Sequence, residues 1–116
     1  MKNFIQPGQV LTLTAPEGGV SSGDGVQVGQ LFVVAVADAA AGDPFEGQTV
    51  GVFDLPKDDS DAWTEGELVY WDGTQATVTA DGNLCIGCAA TAAAEEATTG
   101  RVRLNGVAQA NEPSES

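Results

Sequence analysis

The sequence predicts a small, mainly β protein that folds as a single-domain β-barrel or sandwich. Short apolar segments rich in branched and aromatic residues recur along the 116-residue chain, and turn-forming residues, among them many of its 15 glycines, separate them. Helical periodicity is absent except at residues 91–97, which fit at most one short helix capped by Thr91. The barrel is favoured because closure hides strand edges that so short a chain would otherwise expose.

The strands are assigned from alternation and from apolar runs. Residues 10–15 alternate, with Leu11 and Leu13 on one face, as in a half-buried strand. Residues 31–37 are apolar at successive positions, which predicts a central strand covered on both faces. The remaining strand candidates share a high content of branched and aromatic residues: 49–55, 67–72, 75–80, 84–89 and 101–106.

Glycine-rich turns connect these strands. Turn-forming residues cluster at 16–19, 21–25, 39–44, 72–74 and 81–83. The Asp72-Gly73 step predicts a hairpin within residues 67–80, because Asp-Gly favours a backbone with positive φ. Residues 19–29 have neither the glycine spacing of a nucleotide-binding loop nor a Gly-Lys-Ser/Thr step, so this segment is predicted to be a surface loop.

The chain is predicted to have three parts. Residues 1–9 form an N-terminal arm that Pro7-Gly8 separates from the first strand, and residues 10–107 form the β-rich domain. Residues 108–116 are a polar, acidic tail that we expect to be disordered. No apolar run reaches the roughly 18 residues of a membrane span, and the first residues are too polar for a signal peptide. We therefore expect a soluble protein of intracellular origin with no membrane partner.

The charge balance is strongly acidic. Asp and Glu total 17 against 4 Lys and Arg, histidine is absent, and the formal net charge is -13. Binding to a nucleic-acid backbone depends on clustered cations, so no nucleic-acid partner is expected. The lack of histidine removes the residue most used for proton transfer near neutral pH and for metal ligation. We assign no catalytic residue and no cofactor, although hydrolysis by a pair of carboxylates stays open in so acidic a chain.

Two segments resemble metal sites. The acidic segment 57–67 does not match EF-hand spacing and is predicted to be a solvated loop, with cation binding left open. The motif from Cys85 to Cys88 lies in a predicted strand, where positions i and i+3 face opposite sides, so its thiols should not chelate one ion. A structural zinc site needs about four ligands and a thioredoxin-like site needs a helix N-terminus, and the sequence supplies neither. Both cysteines are predicted to be small core residues.

Several blocks of sequence, in order, resemble a known family. They are MKNFIQPGQVLTLTAP at 1–16, GVFDLPK at 51–57, AWTEGELVYWD at 62–72 and TTGRVRLNG at 98–106. Over residues 1–106 the chain is similar to the capsid cement, or decoration, proteins of tailed phages and prophages. Members typically carry aliphatic residues where this chain has Cys85 and Cys88.

The resemblance implies a non-enzymatic, structural virion protein made in the cytoplasm of a host bacterium. It implies that residues 10–107 are a decoration domain that binds the outer surface of an assembled head and holds neighbouring major capsid subunits together. The implied partners are the major capsid protein and further copies of the chain itself. A homotrimer is the expected assembly, with a dimer as the alternative.

The candidate capsid or subunit contact is the N-terminal arm. Phe4 and Ile5 form an apolar pair with no place in the alternating pattern, and together with Gln6 they are the predicted contact residues. The alternative is that the arm is the first edge strand of the same barrel, since chain ends are often held in this way.

A second function class is a small carbohydrate- or surface-binding module. Such a module would use Trp63, Tyr70 and Trp71 as an exposed stacking platform. The alternation of Trp71 with Val69, and of Tyr70 with Leu68, instead predicts a strand buried on both faces.

Overall fold

The computed structural model describes residues 6–112, which form nine strands in two antiparallel sheets and contain no helix. The mainly β fold class predicted from the sequence is confirmed. In chain order the strands are β1 (Val10–Thr14), β2 (Gly25–Val28), β3 (Leu31–Ala35), β4 (Pro44–Gln48), β5 (Val50–Pro56), β6 (Leu68–Trp71), β7 (Ala76–Thr77), β8 (Leu84–Ala89) and β9 (Thr99–Asn105).

The four-stranded sheet has the order β1-β4-β3-β2. Its strands β2 and β4 were not predicted: β2 lies within the expected surface loop 19–29, and β4 begins at the end of the expected turn 39–44. The physical reason is that two glycines in these strands serve packing. A Cβ on Gly25 would lie 2.7 Å from the Phe32 ring, and one on Gly47 would lie 2.7 Å from a Val33 methyl. These glycines therefore allow side chains of β3 to lie against the neighbouring backbone.

The five-stranded sheet has the order β5-β9-β8-β6-β7 and curls into a half-barrel. A parallel bridge between Lys57 and Ala76 brings the end of β5 against β7, so the two outer strands meet at one end. The predicted hairpin is confirmed, with Trp71 paired to Ala76 across its turn and Gly73 at a φ of 108°. Because the strands curve around one interior, their inward side chains form a single core.

The principal core fills the half-barrel and joins the two sheets. Leu55, Val69 and Val102 are fully buried in it, and the Phe32 ring reaches across from the four-stranded sheet. The ring centroids of Phe32 and Trp71 lie 4.9 Å apart at a tilt of 53°. This contact places the two sheets against each other in one packed unit.

A second, smaller core lies on the opposite face of the four-stranded sheet. Val33, Ala35 and Phe45 are buried there. Two loops cover them, joined by a bridge between Val20 and Ala39. This core is closed by loops and not by a second sheet.

Residues 91–97 form a turn-rich loop and not the short helix considered from the sequence. The buried ammonium of Lys57 hydrogen-bonds to carbonyls of this loop. It donates to Glu95 O at 3.0 Å and to Ala97 O at 3.2 Å. The backbone of Ala93 pairs with that of Trp63, whose ring lies 5.9 Å from the same ammonium. These contacts occupy backbone N–H and C=O groups that a helix would need for its own hydrogen bonds.

The described part of the predicted tail, residues 108–112, contacts both sheets. Gln109 N donates to Gln30 O at 3.1 Å, and Glu112 N donates to Asn83 O at 2.8 Å. The segment lies near Tyr70, which is buried. Burial raises the pKa of the Tyr70 hydroxyl, and the nearby Glu112 carboxylate adds to that shift.

Candidate functional site

The root of the N-terminal arm is fixed at the junction of the two sheets. Thr49, the single residue between β4 and β5, is buried and holds the arm through its backbone and its hydroxyl. Its N–H donates to Gln9 O at 2.8 Å, and its hydroxyl donates to Gly8 O at 3.0 Å. Gly8 and Gln9 are therefore held at a defined point next to β1.

The predicted contact residues lie at this end of the chain. Phe4 and Ile5 are outside the described residues. Gln6 is described and exposed, and its side-chain amide donates to Val10 O at 3.3 Å. The side chain of Gln6 therefore lies against the first residue of β1.

β1 is an edge strand of the four-stranded sheet as far as residues 6–112 are concerned. Its strand partner in that range is β4 alone, with Val10 opposite Gln48 and Thr14 opposite Pro44. Within the described residues the outward side of β1 therefore presents backbone N–H and C=O groups without a partner strand. Such an edge accepts an extended segment of another chain by main-chain hydrogen bonding.

A shallow groove of about 350 Å³ runs beside this edge. Its walls combine the arm root with the outer side chains of β1 and β4, and the lining residues are Gln6, Pro7, Gln9, Val10, Thr12 and Glu46. Thr12 donates to the Glu46 carboxylate at 2.7 Å, which fixes one wall. The open edge, the arm root and this groove together form the candidate site, which we call the edge site.

Strand β8 contains a bulge opposite β6. Val69 pairs with Gly87 and Tyr70 with Cys85, which leaves Ile86 as the extra residue. Ile86 is buried in the barrel, and any side chain at Gly87 would collide with the carbonyl of the neighbouring β9. Two successive residues of β8 therefore face the same side.

The bulge overturns the prediction that the two thiols face opposite sides. Cys85 lies opposite Tyr70 and Cys88 opposite Leu68, so both cysteines are on the outer face of the sheet. Both are half-buried and unpaired, not buried core residues as predicted. Within residues 6–112 no group of three or more His, Cys, Asp or Glu could hold a metal ion.

Three carboxylates of the acidic segment 57–67, those of Asp58, Asp61 and Glu67, accept hydrogen bonds from neighbouring residues. Asp61 accepts from the Thr77 hydroxyl at 2.5 Å, which ties the segment to β7. Asp58 accepts from the Ser60 hydroxyl at 2.6 Å, and hydrogen bonds from Ser60 lower the pKa of this carboxyl. These contacts give the acidic side chains a structural role in the loop.

The three aromatic residues of the alternative binding module are buried. Trp63, Tyr70 and Trp71 have exposed fractions of 2%, 8% and 4%, so none offers a ring face to a ligand. Leu68 is the exception to the predicted two-sided burial of this strand, with 56% of its surface exposed. Sequence periodicity does not distinguish Leu68 from Tyr70. In the fold, the C-terminal segment lies near Tyr70.

The described residues 6–112 define a class of protein: a small all-β unit whose four-stranded sheet has an edge strand, β1, close to the N-terminal end of the chain. Among the described residues no helix is both long and apolar enough to span a membrane. A family model for phage cement protein matches residues 5–104, and the chain belongs to this family. Comparison with curated proteins and with solved structures gave no match. Membership gives the protein a structural role in the phage capsid and a location in the virion.

Proposed function

We propose that this protein binds the outer surface of an assembled phage head and stabilises the contacts between major capsid subunits, without catalytic activity. It is made in the bacterial cytoplasm and joins the head after the capsid subunits are in place. Residues 10–107 act as the decoration domain, and the edge site makes the principal contact. The open edge of β1, which adjoins the root of the arm, is the observation that carries this proposal.

The edge site suits attachment to a preformed surface. An extended capsid segment beside β1 would pair with backbone groups that have no partner strand within residues 6–112. The arm leaves the fold beside this strand because Thr49 holds Gly8 and Gln9. Phe4 and Ile5 then fill apolar pockets of the capsid or of a neighbouring copy.

Self-association strengthens such attachment. A homotrimer at a three-fold or quasi-three-fold position of the head would present three copies of the edge site at once. Each contact can then be weak, because the loss of one leaves the others in place and rebinding is intramolecular. The bound trimer would link neighbouring capsid subunits that otherwise separate on heating.

The test is binding of the purified protein to phage heads that lack it. We expect saturable, stoichiometric binding by sedimentation with the heads, visible as added density on the outer surface by electron cryomicroscopy. Occupied heads should withstand higher temperature before they release DNA. Heads that already carry their own cement protein are the control and should take up none. If bare heads also take up none, or binding leaves their thermal resistance unchanged, the proposal is wrong.

A further inference from the structure

The outer face of the half-barrel carries a row of side chains that crosses four strands. Val52 of β5 lies opposite Arg103 of β9, Arg103 lies opposite Cys88 of β8, and Cys88 lies opposite Leu68 of β6. We call these four residues the outer row. It spans three inter-strand spacings of about 4.8 Å, or about 14 Å in all.

Both ends of the outer row are apolar and exposed. Val52 is 53% exposed and Leu68 is 56% exposed, and they are two of the four large hydrophobic side chains that the described surface exposes in this way. An apolar pair on either side of one cation has the composition of a protein contact, in which aliphatic area is buried around an arginine.

The charge of this face differs from that of the chain as a whole. The outward charged residues of the four strands are Asp54, Arg101 and Arg103. Asp54 pairs with Arg101 at 3.2 Å, and within residues 6–112 no carboxylate lies at ion-pair distance from Arg103. These strand residues sum to +1, and the Glu112 carboxylate near Tyr70 brings the described face to zero, whereas the whole chain carries -13. An acidic surface is the complement of Arg103.

A second copy of the chain supplies such a surface, because each copy carries 17 acidic residues. Two chains of this charge repel over much of their surfaces, and the outer row is a place where that repulsion changes to attraction. A two-fold contact centred on the row would bring the Arg103 side chains of both copies together. A head-to-tail contact instead places Arg103 against carboxylates of the neighbour, and such contacts form a ring when the rotation between successive copies closes.

We propose that the outer row is the docking surface for an acidic region of a second copy, which joins copies head to tail into a ring. The inference rests on the self-association part of the proposed function and gives it a surface. It assigns the edge site and the outer row to different partners, the capsid and the neighbouring copy.

The test compares the assembly state of matched variants by sedimentation velocity over a range of concentrations. Arg103→Gln and Thr99→Glu each make the chain more negative by one charge, and both positions lie on the outward side of β9. We expect Arg103→Gln to raise the dissociation constant of the assembly at least tenfold, and Thr99→Glu to raise it less than threefold.

The apolar part of the row is tested separately. The double variant Val52→Ser with Leu68→Ser should also raise the dissociation constant at least tenfold. Val36→Ser is its control, because Val36 is 51% exposed but lies outside the half-barrel. The melting temperature of each variant establishes that it is folded before its assembly is measured.

Two results would overturn the proposal. The wild-type protein could stay monomeric at all concentrations, or it could assemble with the same constant as both test variants. If it stays monomeric and Arg103→Gln weakens its binding to heads, the capsid occupies the outer row. Head binding by the wild type is measured in the same series, so a failure of the outer row is distinguishable from a failure of capsid attachment.

Discussion

The two sheets are made from similar strands but bury their side chains differently. The half-barrel curves around the principal core, in which Leu55 and Val69 are completely buried. The second core of the four-stranded sheet is covered by loops, and Leu13 and Val28 at its margin are only partly buried. The four-stranded sheet also carries the open edge of β1. This contrast indicates that the half-barrel supplies stability, while the four-stranded sheet is free to carry the attachment surface.

Truncating one leucine in each half gives the sharpest stability comparison. Leu55→Ala removes a fully buried side chain and leaves a cavity, so it should lower the free energy of unfolding by about 2 to 5 kcal/mol. Leu13→Ala removes a half-buried side chain from β1 and should cost less than half as much. Denaturant unfolding measures both values. Equal losses would mean that the two halves contribute alike.

Replacing one buried and one exposed cation compares how much each contributes to the free energy of unfolding. Lys57 donates to the carbonyls of Asp58, Glu95 and Ala97, and Lys57→Met leaves these partly buried acceptors without their donor. We expect a loss of about 2 to 4 kcal/mol. Arg101→Met removes an exposed ion pair with Asp54 and should cost less than about 1 kcal/mol. A reversed order in thermal unfolding would show that Lys57 does not hold the loop.

Substituting two glycines compares a turn that requires positive φ, at Gly73, with the arm root, at Gly8. Gly73 has a φ of 108°, and Gly8 lies outside the left-handed region, while a Cβ added at either position would meet no other atom within 4 Å. Gly73→Val should therefore destabilise by about 1 to 3 kcal/mol through backbone strain alone. Gly8→Val should leave the melting temperature nearly unchanged. An unchanged melting temperature for Gly73→Val would contradict the assigned turn.

The smallest expected effect is the acid sensitivity of the same turn. Burial raises the pKa of the Asp72 carboxyl, but hydrogen bonds from Thr74 and Gln75 outweigh it and lower the pKa below 3.8. The charged form therefore stabilises the fold above pH 3.8, and this contribution is lost as the pH falls through the lower, folded-state pKa. Asp72→Asn should cost less than about 1 kcal/mol at pH 7, because the side chain is exposed.

The control for Asp72→Asn is its own pH dependence. The stability difference from the wild type should disappear as unfolding is measured at successively lower pH below 3.8. A difference that stays constant down to the acid limit would mean that the charge of Asp72 contributes nothing to the turn.

Much of the fold could be predicted from the sequence because its strands have clear apolar patterns. Strands β1, β3, β5, β6, β8 and β9 lie where alternation and apolar runs indicate. β2 and β4 were missed because a glycine that permits close packing, such as Gly25 or Gly47, has the same letter as a glycine in a turn. The distinction depends on the neighbouring strand, which the local sequence does not specify.

Two features of the surface depend on tertiary structure in the same way. The bulge at Ile86 reverses the expected facing of Cys88, and next to it β9 approaches Gly87 closely. The acidic segment 57–67 has the composition of a solvated loop, yet Lys57 and Trp63 within it are buried. The outer row was not foreseen at all, because it combines residues from four strands whose order no local pattern gives.

The division between a stable half-barrel and an attaching edge is tested most directly at the arm. Deleting residues 1–6 removes one side-chain hydrogen bond of the described fold, from Gln6 to Val10, so the free energy of unfolding should fall by less than about 0.5 kcal/mol. Occupancy on bare heads should fall at least tenfold. A full-length variant with Phe4→Ser and Ile5→Ser should lose occupancy as well, whereas Lys2→Ser with Asn3→Ser should keep it.

The deciding measurement is therefore the occupancy of bare heads by the truncated protein, made beside its thermal unfolding. The prediction is a folded protein with wild-type stability and sharply reduced occupancy. Saturation of the heads with wild-type affinity would show that the arm is not the grip. Unfolding of the truncated protein would show that the arm belongs to the barrel, and either result would contradict the separation of stability from attachment.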